Sequence, residues 1–364
     1  MFFYLIIHSI STKNGSLIKD CKMLMSWIKN NRAALFTYAL LTIVYYVLFC
    51  LFAYVVSSWA LKQGLVIKQW PFTDYQRHYY FSGYRNIWQN DPDCINIDQQ
   101  LIYSPKIGKC RFKNPEFDTT TTFAEHGRVN PDTSFDKTKP GIAVLGDSHA
   151  MGWGVNDADT FANTLQETTG RPVYNLAVSS YGTYREIKRL LQSGLINDVD
   201  TIIIQYCNND RSENIELLKN PDINAKLKAF KGKLDHSQND FELTSELLVE
   251  YMKAAVKKPV KKALSYLHKR KDGKNFDSHL AAFEAVIKHF ESDLKNKKII
   301  VFYSNGYGNR FTNFPSGQDK TFKNLYYYDL NLTPDLYFTV DDHLTPTGHL
   351  KVANELAKKL NQHD

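Results

Sequence analysis

The sequence predicts an α/β domain of three layers, with helices on both faces of a mainly parallel sheet, preceded by one membrane-spanning helix. Three observations carry this. From residue 141 onward, short continuous apolar runs alternate with amphipathic ones, and strands buried on both faces that alternate with helices imply parallel pairing with right-handed crossovers. Nearer the N-terminus, residues 33–61, "AALFTYALLTIVYYVLFCLFAYVVSSWAL", contain no charged residue, whereas a bilayer-spanning helix needs about 20 such positions. Finally, 43% of the 364 residues are hydrophobic, which supports one large core with appendages.

Residues 1–32 read as a cytoplasmic tail. Its opening "MFFYLIIHSI" is apolar but too short to span. Lys13, Lys19, Lys22, Lys29 and Arg32 precede the apolar run, against Lys62 and Lys68 after it, so the N-terminus is expected in the cytoplasm and the bulk of the chain outside. A cleaved signal peptide is the alternative. The run is longer than a signal h-region, and its only small-x-small site is Ser58-Trp59-Ala60.

Residues 62–139 are rich in Tyr, Trp, Asn, Asp and Pro and lack a sustained helical period. "KQWPFTDYQRHYYFSGYRNIW" reads as a membrane-proximal segment with interfacial aromatics; its rings could stack on sugars or simply pack. Cys94 and Cys110 lie in this exported part, where a disulfide between them is expected in an oxidising compartment, two free thiols being the alternative. No CxxC or Cys/His cluster supports a zinc site. "CRFKNPEFDTTTTFAEHGRVN" reads as short strands and turns.

Residues 140–364 read as the main α/β domain. "GIAVLGDS", "PVYNLAV", "VDTIIIQYCNND" and "KKIIVFYSN" read as strands; "DTFANTLQETTG", "TYREIKRLLQSGL" and "TPTGHLKVANELAKKLN" read as helices, the first closed by Gly170. Residues 211–296 exceed a normal crossover and read as a helical insertion. Its middle carries Lys257, Lys258, Lys261, Lys262, Lys269, Arg270, Lys271 and Lys274, either as a solvated face or for contact with anionic lipid head groups or an acidic glycan. The net charge of +7 is thus concentrated in segments and speaks for no nucleic-acid partner.

The chemistry concentrates at strand ends. A serine directly after a buried parallel strand, as Ser148 is, sits at the carboxyl edge of the sheet, where ligands bind in open α/β folds. By itself it could merely cap the next helix; as a nucleophile it needs a base and an oxyanion hole. "NLAVSSYGTY", "QYCNND" and "FTVDDHLTPTGH" supply candidates. Asn209 can donate to an oxyanion, and His343 with a nearby Asp can act as base and orienter.

These four segments, in this order, resemble the blocks of the SGNH/GDSL hydrolase superfamily. Ser148 matches the block I serine, Ser180 the block II glycine position, Asn209 the block III asparagine and His343 the block V histidine. "EFDTT" resembles a region of membrane-anchored bacterial members. The resemblance implies an SGNH/flavodoxin-like fold. It also implies that Ser148 attacks an ester carbonyl, His343 takes its proton and Asp341 fixes the imidazole tautomer, with the N–H groups of Ser148 and Ser180 and the Asn209 amide as oxyanion hole. Asp147, Gly182 and Asp210 would support these loops. Three departures stand out. Ser180 replaces a glycine, keeping the N–H but losing φ freedom, with Gly182 close by; Cys207 replaces the glycine of block III; and Val340 occupies the usual block V aspartate position, so the orienter is Asp341 or the adjacent Asp342. His149, in place of the leucine of GDSL, and His349 read as structural. "GDSHA" also resembles SGNH domains attached to membrane acyltransferases.

The expected activity is hydrolysis of O-acyl, in particular O-acetyl, esters on an envelope carbohydrate, without metal or organic cofactor. Expected partners are that acylated carbohydrate, the membrane through residues 33–61, and envelope polysaccharide machinery. The expected location is the inner membrane, single-pass, with the catalytic domain on the periplasmic or exterior side. Two alternatives stand beside this: an O-acyltransferase using the same serine, and a non-catalytic glycan-binding protein.

Overall fold

The computed structural model describes residues 23, 26–236 and 274–361. Helix α1 (Arg32–Lys62) is the apolar run, and it is long and apolar enough to cross a membrane. Its 31 residues rise about 46 Å at 1.5 Å each, more than the roughly 30 Å of a hydrocarbon core. The surplus lies at its C-terminal end, where Ala53, Tyr54, Ser57, Ser58, Ala60 and Leu61 are buried. Helix α2 (Phe72–Tyr79) covers that end. Ala53, Tyr54 and Leu61 form a small apolar cluster with Tyr75, Tyr79 and Tyr80, and with Val340 from the far end of the chain. The aromatic segment therefore contains a helix that its sequence does not advertise, because the apolar partners of that helix lie on α1.

Strands β1 (Ile95–Asp98) and β2 (Ile102–Pro105) make an antiparallel ribbon, tied to the next strand by the Cys94–Cys110 disulfide, with a Cα separation of 5.9 Å. Strands β3 (Gly108–Asn114), β4 (Phe117–Ala124) and β5 (Gly127–Arg128) follow. In β4 the side chains of Phe117, Thr119, Thr121 and Phe123 are buried alternately with more open neighbours, the period of a strand with one covered face.

The α/β part runs β6 (Gly141–Leu145), a single helical turn α3 (Ser148–Met151), α4 (Phe161–Thr169), β7 (Val173–Asn175), α5 (Thr183–Gln192), β8 (Val199–Tyr206), α6 (Asp210–Lys219), α7 (Asn224–His236), β9 (Lys274–Asn275), α8 (Asp277–His289), α9 (Glu291–Leu294), β10 (Lys298–Tyr303), β11 (Phe311–Thr312), β12 (Gly317–Gln318), β13 (Leu325–Tyr328) and α10 (Pro346–Asn361). Thr160 caps α4 by accepting from the Asn163 N–H, and Gly170 closes it at φ 59°. Helix α4 packs with α10, while α5, α6 and α8 pack together. The basic residues Lys257 to Lys271 of the insertion lie outside the described residues, and only the backbone of Lys274 falls within them.

Nine strands share one sheet in the order β12-β13-β10-β8-β6-β7-β5-β4-β3. The five central strands, β13 to β7, are parallel; β12 at one edge and β5, β4, β3 at the other are antiparallel. The sheet is thus mixed, with a parallel centre. Strand β3 shows why its edge is antiparallel: Lys109, Arg111 and Lys113 face solvent while Cys110 and Phe112 face the core. Antiparallel strands tolerate one wet face, and edge lysines discourage further pairing. The segment before residue 140 therefore completes the large sheet. In the centre, the chain order 2-1-3-4-5 reverses direction between β6 and β8, and ligands bind at the carboxyl ends of the strands flanking such a switch point.

Candidate active site

The loop leaving β6 begins the site. Gly146 has φ 147°, and a Cβ there would lie 2.6 Å from the Ala150 Cβ and 2.8 Å from Gln205 Oε1, so this position needs glycine. Asp147 caps the turn α3 by accepting from the His149 N–H at 2.9 Å. Gln205, on the neighbouring β8, accepts from the N–H groups of Asp147 and Ala150 at 3.2 Å each and donates to the Ser304 carbonyl at 3.3 Å. Ser148, half-buried, is held as the first residue of α3.

The loop between β13 and α10 meets it. His343 Nε2 is 2.6 Å from Ser148 Oγ, and His343 Nδ1 is 2.5 Å from Asp341 Oδ1. That same carboxylate oxygen accepts the His343 backbone N–H at 3.1 Å, an Asx turn that explains why a two-residue spacing suffices. Of the two aspartates left open by the sequence, Asp341 is the one bonded. Asp342 Oδ1 lies 3.2 Å from Nδ1 and makes no hydrogen bond. Glu116, in the turn between β3 and β4, accepts from the N–H groups of Thr339, Val340 and Asp341 at 2.7, 2.7 and 2.8 Å, so it clamps this loop from below.

The second oxygen of Asp341 receives Tyr80 OH at 2.6 Å and Trp153 Nε1 at 3.2 Å, and Arg85 Nε stands 3.5 Å away. Burial by itself would raise the carboxyl; the charges of His343 and Arg85 and the bonds from His343 and Tyr80 override it and hold Asp341 well below the usual carboxylate range. His149 lies against the His343 ring with centroids 4.6 Å apart, its Nδ1 3.2 Å from Ser304 Oγ. Burial, then repulsion by His343, holds His149 down to about 3, so a neutral imidazole packs on one face of His343.

The remaining sequence candidates sort by their bonds. The N–H groups of Ser148 and Ser180 are bonded to no partner among the described residues. Asn209 Nδ2 reaches Asp147 Oδ2 at 3.4 Å. These three belong to the loops after β6, β7 and β8, which are neighbours in the sheet. Ser180 adopts φ 62°, the left-handed conformation that a glycine would take; the expected loss of φ freedom is overridden by Arg185, which donates to the Ser180 carbonyl at 2.6 Å, and by Gln89, which donates to its hydroxyl at 3.0 Å. The Gly182 N–H is committed to Glu213 Oε1 at 2.8 Å. Asp210 accepts from the Cys207 N–H at 3.3 Å and Thr183 Oγ1 at 3.4 Å. Burial, followed by the charge of Asp147, pushes Asp210 well above its ordinary value. Cys207 is buried, and burial, with the carboxylates of Asp147 and Asp210, raises its thiol as well. His349 accepts the Phe161 N–H at 3.2 Å and stacks on that ring, away from the serine.

Among the described residues, two groups bring three potential metal-ligand atoms within 4.8 Å of one another, Asp147 with His149 and Cys207, and Asp341 with Asp342 and His343. Asp147 and His149 spend these atoms on the Asn209, His149 N–H and Ser304 bonds above, and Asp341 and His343 spend theirs on each other. Tyr80, Arg85, Trp153, Glu116 and Gln205 went unread in the sequence. All five stood within segments singled out in the sequence, Trp153 in "GDSHAMGWG", Gln205 in "QYCNND", Glu116 in "EFDTT", and Tyr80 and Arg85 in the aromatic segment, but nothing local assigned them to the site.

Taken together, the fold and the site are those of an α/β domain with serine, histidine and aspartate on strand-end loops, the arrangement implied by the SGNH/GDSL resemblance. No protein-family model matches the chain, and no curated protein does. Among solved structures, it is similar to a protein described as lipolytic and of the G-D-S-L family from Desulfitobacterium hafniense, at 13% identity over 61% of this chain and 99% of that one, TM-score 0.32. It is similar to a protein described as an acylhydrolase from Bacteroides fragilis, at 10% identity over 63% and 90%, TM-score 0.32, and to a GDSL-like lipase from Bacteroides thetaiotaomicron, at 9% identity over 63% and 92%, TM-score 0.30. At this level of similarity only the chain's own residues speak to its chemistry.

Proposed function

We propose that this chain is a membrane-anchored serine esterase of the SGNH type. The observation that carries the reading is the continuous hydrogen-bonded path Ser148 Oγ–His343 Nε2 at 2.6 Å and His343 Nδ1–Asp341 Oδ1 at 2.5 Å. With Nδ1–H donated to Asp341, Nε2 carries the lone pair that accepts the serine proton. Ser148 Oγ attacks the ester carbonyl carbon as its proton passes to His343. The oxyanion forms against the Ser148 and Ser180 N–H groups and the Asn209 amide. Collapse expels the alcohol, which takes the proton from His343, and water then attacks the acyl-enzyme by the same route. This chemistry draws on no metal or organic cofactor.

The finer reading is an O-acyl ester, in particular an O-acetyl ester, on an envelope carbohydrate, with α1 in the inner membrane and the domain on its outer side. Its support is the basic bias ahead of α1, the contact of the α1 end with Val340 beside the catalytic residues, and the resemblance to anchored family members. The test is labelling of the full chain by a fluorophosphonate together with hydrolysis of p-nitrophenyl acetate. Both are expected to vanish in Ser148→Ala, and Asn209→Ala is expected to lose about 10²- to 10³-fold in turnover. Absence of labelling on folded wild-type protein would overturn the esterase reading. Acyl transfer to an added glycan without net hydrolysis would replace it by the acyltransferase.

A further inference from the structure

Beyond the serine, histidine and aspartate, the site draws on residues from a part of the chain that the family resemblance does not cover. After helix α2 the chain kinks within Tyr80–Tyr84, where Gly83 adopts φ 150°. The Tyr80 ring is buried and its hydroxyl donates to Asp341 Oδ2 at 2.6 Å. Arg85 follows that kink, with Nη2 3.3 Å from His343 Nδ1 and Nε 3.5 Å from Asp341 Oδ2. From the same segment, Arg77 Nε donates to the Thr339 carbonyl at 2.7 Å and its guanidinium covers the Tyr307 ring at 3.8 Å. Tyr307 in turn donates to the Val340 carbonyl at 2.6 Å.

We propose that Tyr80 and Arg85 are positioning residues of the catalytic centre, so that the end of the membrane helix and the Asp341–His343 loop work as one unit. This rests on the esterase reading. A carboxylate that orients an imidazole must present one oxygen to Nδ1 and keep its plane from turning. Tyr80 and Trp153, both donating to the other oxygen, stop that rotation. Arg85 acts differently. Its fixed positive charge, 3.5 Å from Asp341 Oδ2, helps to keep that carboxylate ionised, the form that accepts from His343 Nδ1–H. The charged and titratable groups facing His343 and its partner carboxylate are Asp341 and Asp342 of their own loop, Arg85 and Tyr80 from the α2 side, His149 on α3, and Glu116 and Tyr307 packed against the loop. Arg85 is the cation among them within hydrogen-bond reach of the ring.

The experiment uses the full chain in detergent micelles, with active centres counted by fluorophosphonate titration. The kcat and KM toward p-nitrophenyl acetate are then measured for wild type, Tyr80→Phe, Arg85→Gln and Arg85→Lys. Tyr80→Phe is expected to lower kcat per titrated centre by about 10-fold with KM changed less than about 2-fold, as for a group acting only in the proton transfer. Arg85→Gln is expected to lower kcat per titrated centre by about 10-fold with KM little changed, and Arg85→Lys to restore most of it. A purely structural role would lower the number of titrated centres and leave kcat per centre in place; that result overturns the proposal while the esterase reading stands. Wild-type protein that takes no label at Ser148 removes the esterase reading and this proposal with it.

Discussion

Asp341 takes hydrogen bonds from the side chain and backbone of His343, from Tyr80 and from Trp153, so its full acceptor capacity is used while it remains ionised. Ser180 shows the opposite economy. A serine at φ 62° sits in a region that costs an L-residue about 1–2 kcal/mol, and the Arg185 and Gln89 bonds hold it there. Ser180→Gly is therefore expected to keep fluorophosphonate labelling and to change stability by no more than about 1 kcal/mol, since relief of strain offsets the added chain entropy; Ser180→Val, whose branched side chain resists this backbone, should lose labelling. His349 offers a pH prediction. Burial, then the charge of Arg128, holds it down to about 3, against 6.5 ordinarily. The unfolded chain thus takes up a proton below about pH 6.5 that the folded chain refuses, and stability falls as pH drops from there toward 3. Buried Glu186 and Asp210, raised by burial and mutual repulsion, act with the opposite sign, so the difference between wild type and His349→Gln is the quantity to measure. Urea unfolding should show wild type losing about 1.4 kcal/mol per pH unit relative to the variant through that window. A pH-independent difference would mean that His349 binds its proton equally well in the folded and unfolded chains.

At the scale of elements, legibility followed locality. Strands β6, β8 and β10 each carry a continuous apolar run, "IAVL", "III" and "IIVF", and helix α4 carries its own cap and terminating glycine; such elements announce themselves because the signal lies within the segment. Helix α2 did not, because the burial of Tyr75 and Tyr79 is against α1. Strand β13, "LYYY", is a central parallel strand made of tyrosines that alternate between buried and half-open positions, a pattern easily taken for a loop. Strands β3 to β5 read correctly as strands, but nothing local tells that they join β7 through the single pairing of Arg128 with Asn175.

At the scale of the molecule, the chain has one described helix able to cross a bilayer, and its C-terminal end packs against Val340, next to Asp341. A chain beginning at residue 62 loses Ala53, Tyr54 and Leu61 and uncovers Tyr75, Tyr79 and Val340. With buried side chains contributing about 1.5–3 kcal/mol each, it is expected to be less stable by on the order of 3 kcal/mol and to show lower kcat per labelled centre than the full chain in micelles. Equal melting temperature and equal kcat would show that the docking contributes nothing. By itself the sequence determined the α/β class, the apolar helix and the four strand-end segments, because each is a short run whose chemistry and period are local. Only the tertiary structure decided that Asp341 rather than Asp342 meets His343, that Ser180 takes a glycine's backbone, and that Tyr80, Arg85 and Glu116 surround the pair. Those three act on partners 261, 258 and 225 residues away, and a contact across such a separation exists only once the sheet has brought its two ends together.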